Sequence, residues 1–569
     1  MLKKKKHIGH IVFVIGFFIA LTCVFTRPLV SHVRTHFPGG HGDNLYFIWQ
    51  IEWFKRAIFD LRQLPIKSHL LNHPYGYNLA TTEMTPLQLA FGIPFALFGN
   101  PVLGYNISIL STFVLAGLTM YAWVFSLTKS HLASLAAGSV FSFLPYHIAH
   151  VLIGHLNISG IQWFPLYFWG FTAILLERSF SKKNMFLFAG GLSAIALTSI
   201  YYFYMTVFLS AILMIFYFLF IDPRAFKDWD MWKQFLLGGL MSVPFLVVGV
   251  GPYLVFYGGS ATSRNFQSVM VFSASILDYV LPFTRQFFLG EWVWKNFPRD
   301  LWNEATLYLG LPAMVSAAFA WTRKKERRPL LTLILVGFLT AVILSFGTNV
   351  MWKEQPVQFD PPDWLVDIFP GEKGIILLPG YVLYRFMPYY DLMRVWMRYG
   401  IFAILFCSAA AGIGFNLMLK KIPKKKRSLA GIGILLLVLL DLYGKPMKIS
   451  SIGPRVVDEW LDDQPQGGLV QLPYDLSLSE THFFYTLYHE KSLVGAVPAF
   501  PSQRFLDLRL DLESFPSDRS LAALEENQVR YVLVDEASMP VDDDFIAFCE
   551  QLGMPFQGSF GGQSVFIIE

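Results

Sequence analysis

The chain has 569 residues, of which 54% are hydrophobic, 17% aromatic and only 15% charged, with a formal net charge of +5. Soluble domains carry roughly 25% charge. With a mean hydropathy of +0.46, this composition predicts a polytopic α-helical membrane protein. Lys and Arg cluster between the apolar runs, so the basic surplus reports topology and excludes a nucleic-acid partner.

In chain order, Lys3–Lys6 precede an apolar run from Ile8 to Phe25. No small-residue cleavage site follows, and the run is long enough to span, so a retained first helix is expected over a signal peptide. Further spans are expected near 102–127, 132–151, 159–177, 185–200, 203–221, 234–256, 305–322, 329–347, 399–419 and 429–444, about eleven transmembrane helices in all. The clusters Lys3–Lys6, Lys129, Lys182–Lys183, Arg224/Lys227/Lys233, Arg323–Arg328 and Lys420–Arg427 then fall on one side, which the positive-inside rule makes cytoplasmic. The apolar piece Leu87 to Phe98 has Pro86, Pro94 and Pro101 around it and reads as a re-entrant or interfacial helix.

This threading predicts a membrane module, 1–444, with large outer loops at 28–101, 258–304 and 348–398. The remaining residues, 445–569, read as a soluble extracytoplasmic α/β domain. Helical patterns at 456–461, 521–528 and 543–552 alternate there with strand-like runs at 468–473, 529–535 and 563–568. No phosphate loop or nucleophile elbow occurs in it, which favours a binding or docking role. Cys23, Cys407 and Cys549 form no disulfide framework, and no CxxC or HExxH spacing suggests a zinc site. A multi-pass protein of the cell (inner) membrane is expected, its N-terminus cytoplasmic.

Chemistry is expected in the outer loops. The bend Pro38-Gly39-Gly40-His41-Gly42-Asp43-Asn44 places one carboxylate where the first span meets water, ahead of Tyr46, Phe47, Trp49, Trp53 and Phe54. Asp43 there is either a helix N-cap or a base taking a proton from an incoming hydroxyl. Glu83, ahead of its own apolar helix, has the same two readings. The loop Asn72 to Asn78, with His73, Tyr75 and Asn78, is either a carbohydrate-lining loop or a surface turn. His147, His150, His155 and Asn157 gather near one hairpin as cavity lining, interface residues or a metal site. Arg385, Arg394 and Arg398 face outward, against the positive-inside rule; they either hold a phosphate or snorkel to lipid headgroups.

The pattern resembles the GT-C glycosyltransferase superfamily. The carrying residues are Gly42-Asp43, His73-Pro74-Tyr75-Gly76-Tyr77-Asn78, Gly154-His155-Leu156-Asn157 and Leu392 to Arg398, and the likeness covers most of 8–444. Within the superfamily the chain is similar to bacterial membrane proteins of the YfhO-like and dolichyl-phosphate-mannose mannosyltransferase-like kind. The resemblance implies transfer, with inversion, of a sugar from a polyprenyl-phosphate donor in the bilayer to a glycan, lipid or protein acceptor on the outer face. It assigns the base to Asp43 and the lipid phosphate to Arg394 and Arg398, with Arg385 behind them. Some members have a paired acidic motif in the first loop, where this chain has Asn44. That departure favours one carboxylate, with Glu83 as a second acid, and indicates no cofactor or divalent metal. Two other classes compete. A transporter or flippase of lipid-linked glycans would show internal repeats and broken mid-membrane helices, and none is evident. A non-catalytic envelope-glycan assembly factor would bind a partner through the tail and use the membrane part as a scaffold.

Overall fold

The computed structural model describes residues 2–257, 264–298, 302–323, 328–358, 374–475, 479–495 and 503–568. Parts of the second and third outer loops, of the basic cluster 323–328 and of the tail therefore lie outside the described residues. The chain forms two compact units. One comprises Met1–Val30, Ile109–Leu152 and Leu156–Met447; the other comprises Ser31–Ser108, Ile153–His155 and Lys448–Glu569.

The first unit is helical. Its buried centre is the helix Gly400–Lys420, whose residues from Gly400 to Phe415 are all buried. Small residues let its neighbours approach closely: a side chain at Gly414 would collide with the backbone of Ser316, whose hydroxyl donates to Ala411 O at 2.8 Å. Such small-residue packing is how helices associate without a hydrophobic gradient. Helix boundaries follow local chemistry. Ser199 closes the helix Lys182–Thr198 and caps Ile200–Phe216 by accepting from the Tyr202 amide. Pro145 interrupts the next pair, leaving His131–Phe143 and Pro145–Leu152.

Seven helices among the described residues are long and apolar enough to cross a membrane: Ile8–Phe25, Pro101–Thr128, His131–Leu152, Ile200–Ile221, Trp229–Gly249, Arg328–Ser345 and Trp396–Lys420. The protein is a multi-pass membrane protein. The four other expected spans are helices that are shorter or more charged. Phe164–Glu177 has 14 residues, Lys182–Thr198 has 17 and Leu311–Thr322 has 12. Lys424–Leu442 opens on four consecutive or near-consecutive basic residues. Leu87 to Phe98 falls in a 13-residue helix, Pro86–Phe98.

The second unit holds a five-stranded sheet. Its strands are β1 (Gly468–Leu472), β2 (Ser492–Leu493), β3 (Val529–Asp535), β4 (Phe556–Ser559) and β5 (Gln563–Ile567). Their order is β4-β5-β3-β1-β2. β1 runs parallel to β2 and β3, with Leu472 opposite Val534, while β5 is antiparallel to both β3 and β4. The largely apolar, buried residues of β1 and β3 suit strands covered on both faces. Val470, Leu472, Val532, Val534 and Phe566 pack there with Leu508, Leu524 and Met554 from the covering helices and loops.

The segment 31–108, which holds most of the first expected outer loop, belongs to the same unit. Phe37–Pro38 pairs antiparallel with Ile449–Ser450. The helix Asp43–Lys55 is buried from Asn44 to Phe54, and Tyr46, Trp49 and Trp53 stack in sequence along it at centroid spacings of 6.3 and 6.0 Å. It packs on Pro86–Phe98 and, in parallel, on the helix Ser479–His489.

Candidate active site

Backbone anchors fix the bend before Asp43. Gly39 adopts a left-handed φ of 83°, and its amide donates to Lys448 O at 2.7 Å while its carbonyl accepts from the Ser450 hydroxyl at 2.7 Å. Gly42 is the helix N-cap, which makes Asp43 the first helical residue instead of the cap. Asp43 is therefore free of the capping role that competed with a chemical one. Its Oδ2 lies 3.0 Å from Nε2 of His155, with the Asp43 side chain 49% exposed and that of His155 17%.

Asn44 holds this geometry. It is fully buried, its amide donates to Pro38 O at 2.9 Å and to Gly40 O at 2.6 Å, and its Oδ1 accepts from the Leu45 amide at 2.8 Å. The residue at the second-acid position is thus committed to the bend, which offers one carboxylate. Gly154 supplies the partner's placement. Its φ is +87°, and an added Cβ would collide with the Asn44 amide nitrogen and lie 2.8 Å from its Cα. Only glycine allows both the left-handed backbone and this approach, so the Gly154-His155 turn is pressed against the start of the Asp43 helix.

A second polar cluster lies within the helical unit. Glu304, its side chain 3% exposed, receives Arg398 through Nη2 at 2.7 Å and Nε at 3.1 and 3.3 Å. His150, fully buried, places Nε2 3.6 Å from the other Glu304 oxygen. The Arg398 guanidinium also lies over the Tyr201 ring, 5.1 Å from its centroid. Charges this deep persist only when paired in good geometry, which these distances provide. His147 is instead a core residue, bonded to Ser142 O and the Thr112 hydroxyl at 2.8 Å each.

The remaining expected residues separate into groups. Arg394 is exposed, with its guanidinium 4.8 Å from the Phe272 centroid. Arg385 is exposed beside Tyr381. Asn157 is buried, and Glu83 is half-buried in the segment between Thr82 and Met84. The loop from Asn72 to Asn78 docks on the C-terminal residues. His73 Nε2 donates to Gln528 O at 3.1 Å, Arg504 covers the Tyr75 ring at 4.4 Å, and Asn78 accepts from the Ala80 amide at 3.0 Å. The pairings Asp43–His155 and Glu304–Arg398 are what sequence spacing does not reveal. Glu304 becomes the partner of Arg398 only through the fold, across 94 positions of sequence.

The family model for a domain of unknown function, DUF6311, matches residues 13–410, the range holding Asp43, His150, His155, Glu304 and Arg398. The chain belongs to this family. None of the curated proteins matches the sequence. Among solved structures, this DUF6311 chain is similar to the oligosaccharyltransferase of Archaeoglobus fulgidus in its complex with zinc and sulfate. Identity there is 12% and the TM-score 0.50, over 94% of this chain and 69% of that one. It is also similar to a mutant of the arabinofuranosyltransferase AftD from Mycobacteria, at 12% identity and a TM-score of 0.55, over 98% of this chain and 41% of that one. The chain thus spans about two fifths of AftD. At these identities the likeness is one of fold alone.

Proposed function

We propose that the chain is a membrane glycosyltransferase, moving a sugar from a polyprenyl-phosphate donor to an acceptor on the extracytoplasmic face with inversion at the anomeric carbon. The observation that carries this reading is the Asp43–His155 pair at the head of a helix in a GT-C fold. Asp43 accepts the proton of the acceptor hydroxyl as its oxygen bonds to the anomeric carbon. The bond from that carbon to the phosphate oxygen breaks, and the polyprenyl phosphate leaves with the electron pair. His155 orients the carboxylate through the 3.0 Å contact, and a positioned base contributes about 10²–10⁴ in rate.

In this reading Arg394 and Arg385, both exposed, take the lipid phosphate, in place of the Arg394 and Arg398 pair that the resemblance assigns. Arg398 supports them from its pairing with Glu304. His150 and Asn157 are assigned to substrate binding, Glu83 is the reserve acid, and His73, Tyr75 and Asn78 hold the acceptor-side loop. The reading includes eleven spans, a cytoplasmic N-terminus, an extracytoplasmic domain over 445–569 and kinship with the YfhO-like and mannosyltransferase-like proteins. The basic clusters and the quoted motifs support it. The test is transfer by purified protein from a panel of polyprenyl-phosphate monosaccharides. Asp43→Asn is expected to lose at least about a hundredfold in rate while remaining monodisperse in detergent. Transfer at the wild-type rate by that variant overturns the assignment.

A further inference from the structure

The helix Asp43–Lys55 and the helix Ser479–His489 lie side by side within one unit, and three contacts set their register. Trp49 Nε1 donates to Thr486 Oγ1 at 2.9 Å. Arg56 reaches Leu487 O at 2.8 Å and Glu490 Oε1 at 2.7 Å. Both numberings rise together, so the helices are parallel. Six residues back from Trp49 and from Thr486 stand Asp43 and Glu480. Two carboxylates are therefore brought level, one from each end of the chain, in the first turns of adjacent helices. Glu480 is only partly exposed.

We propose that Glu480 is a positioning residue for the Asp43 base: its negative charge, when present, strengthens the proton affinity of the neighbouring carboxylate. This deepens the glycosyltransferase reading and rests on it. Burial holds the Glu480 carboxyl up at about 7, against the opposing pull of its own amide, and Asp43 adds to the rise. Below pH 7 the pair then carries one negative charge fewer than above it. The other charges around this helix are compensated at its far end or along its flank. On the Asp43 helix, Glu52 is tied to Lys55 and Arg56. On Val456–Asp462, Asp458 is tied to Arg455. Glu490 is tied to Arg56. Lys491, buried after the helix, has its pKa lowered by desolvation, and burial holds His482 and His489 neutral down to about 3. His155 faces Asp43 from the Gly154 turn.

The first arm of the test needs no substrate. Infrared titration of the purified full chain in detergent should show a protonated-carboxyl band disappearing with a midpoint about 7. Glu480→Gln should remove that band, Glu480→Asp should retain it, and Asp43→Asn should move its midpoint down. A midpoint that Asp43→Asn leaves in place, or the absence of any such band in the wild type, overturns the proposal. The second arm follows kcat against pH with the polyprenyl-phosphate monosaccharide that turns over. The wild-type rate should rise through pH 7, and Glu480→Gln should flatten the rise, running about three- to tenfold slower at pH 8. An unchanged rise, or an equal loss at every pH, shows a merely structural role. Should Asp43→Asn keep its transfer activity, the base assignment falls, while the infrared coupling still decides whether the two carboxylates communicate.

Discussion

Removing the guanidinium of Arg398 distinguishes a structural cation from a ligand for the lipid phosphate. Arg398→Gln strips three N···O contacts of 2.7, 3.1 and 3.3 Å from Glu304. The carboxylate is left with 3% of its side chain exposed and with His150 at 3.6 Å, too far to replace the lost fork. Breaking a buried pair from one side costs about 3–5 kcal/mol, because the remaining charge is neither solvated nor matched. Arg398→Lys keeps the charge but not the fork, and should fall between the variant and the wild type. The double substitution Glu304→Gln with Arg398→Gln removes both charges and should recover most of the loss. The assay is reversible unfolding by SDS in mixed micelles, with a double-mutant cycle across the two positions. A single variant within about 1 kcal/mol of wild type, coupled with a raised KM for the donor, refutes this reasoning and makes Arg398 a phosphate ligand.

Two further outcomes follow from the packing around the bend and the docked loop. Gly154→Ala forces a Cβ into the Asn44 backbone at a φ of +87°; the left-handed strain of about 1–2 kcal/mol and overpacking of about 1–3 kcal/mol should lower stability and transfer together. Wild-type thermal stability in that variant would show that the turn has room to move. Burial lowers the His73 pKa below its ordinary 6.5; the bond to Gln528 opposes the shift and Arg504 adds to it. Its depressed folded-state value means that the stabilisation is present above about 6.5 and is lost as the pH falls through the folded value. Amide exchange over residues 70–78 should accelerate at acid pH, and His73→Gln should remove that dependence.

Much of the architecture was readable from residue pattern. The apolar runs at 8–25, 101–128 and 400–420 are helices, and 468–472, 529–535 and 563–567 are strands, because the length and apolar pattern of such runs suffice to name them. Helix starts were less secure. Asp43 has the chemistry of a cap, yet Gly42 takes that position, since the preceding anchors to Lys448 and Ser450 decide where the chain turns. Pairings were not readable at all. Asp43 meets His155 across 112 positions, Glu304 meets Arg398 across 94, and the alignment of Asp43 with Glu480 needs a helix register that only tertiary packing sets. The loop from Asn72 to Asn78 shows the same limit: its aromatic and amide groups suit a sugar, but its neighbours are residues numbered above 490.

That long-range pairing has a consequence for biogenesis. Leu70 and His73 exchange backbone hydrogen bonds with Leu493, and Asn72 bonds to Gly495, so the segment 70–73 extends the β2 edge of the sheet. Trp49 likewise finds its partner 437 residues later. Ribosomes deliver the N-terminal part first, and contacts of such separation form last because loop closure must precede their reward. The Asp43 helix therefore waits, its aromatic face without its final cover, until almost the whole chain has been made. A truncated product lacks that cover, which couples the maturity of the proposed catalytic bend to completion of synthesis.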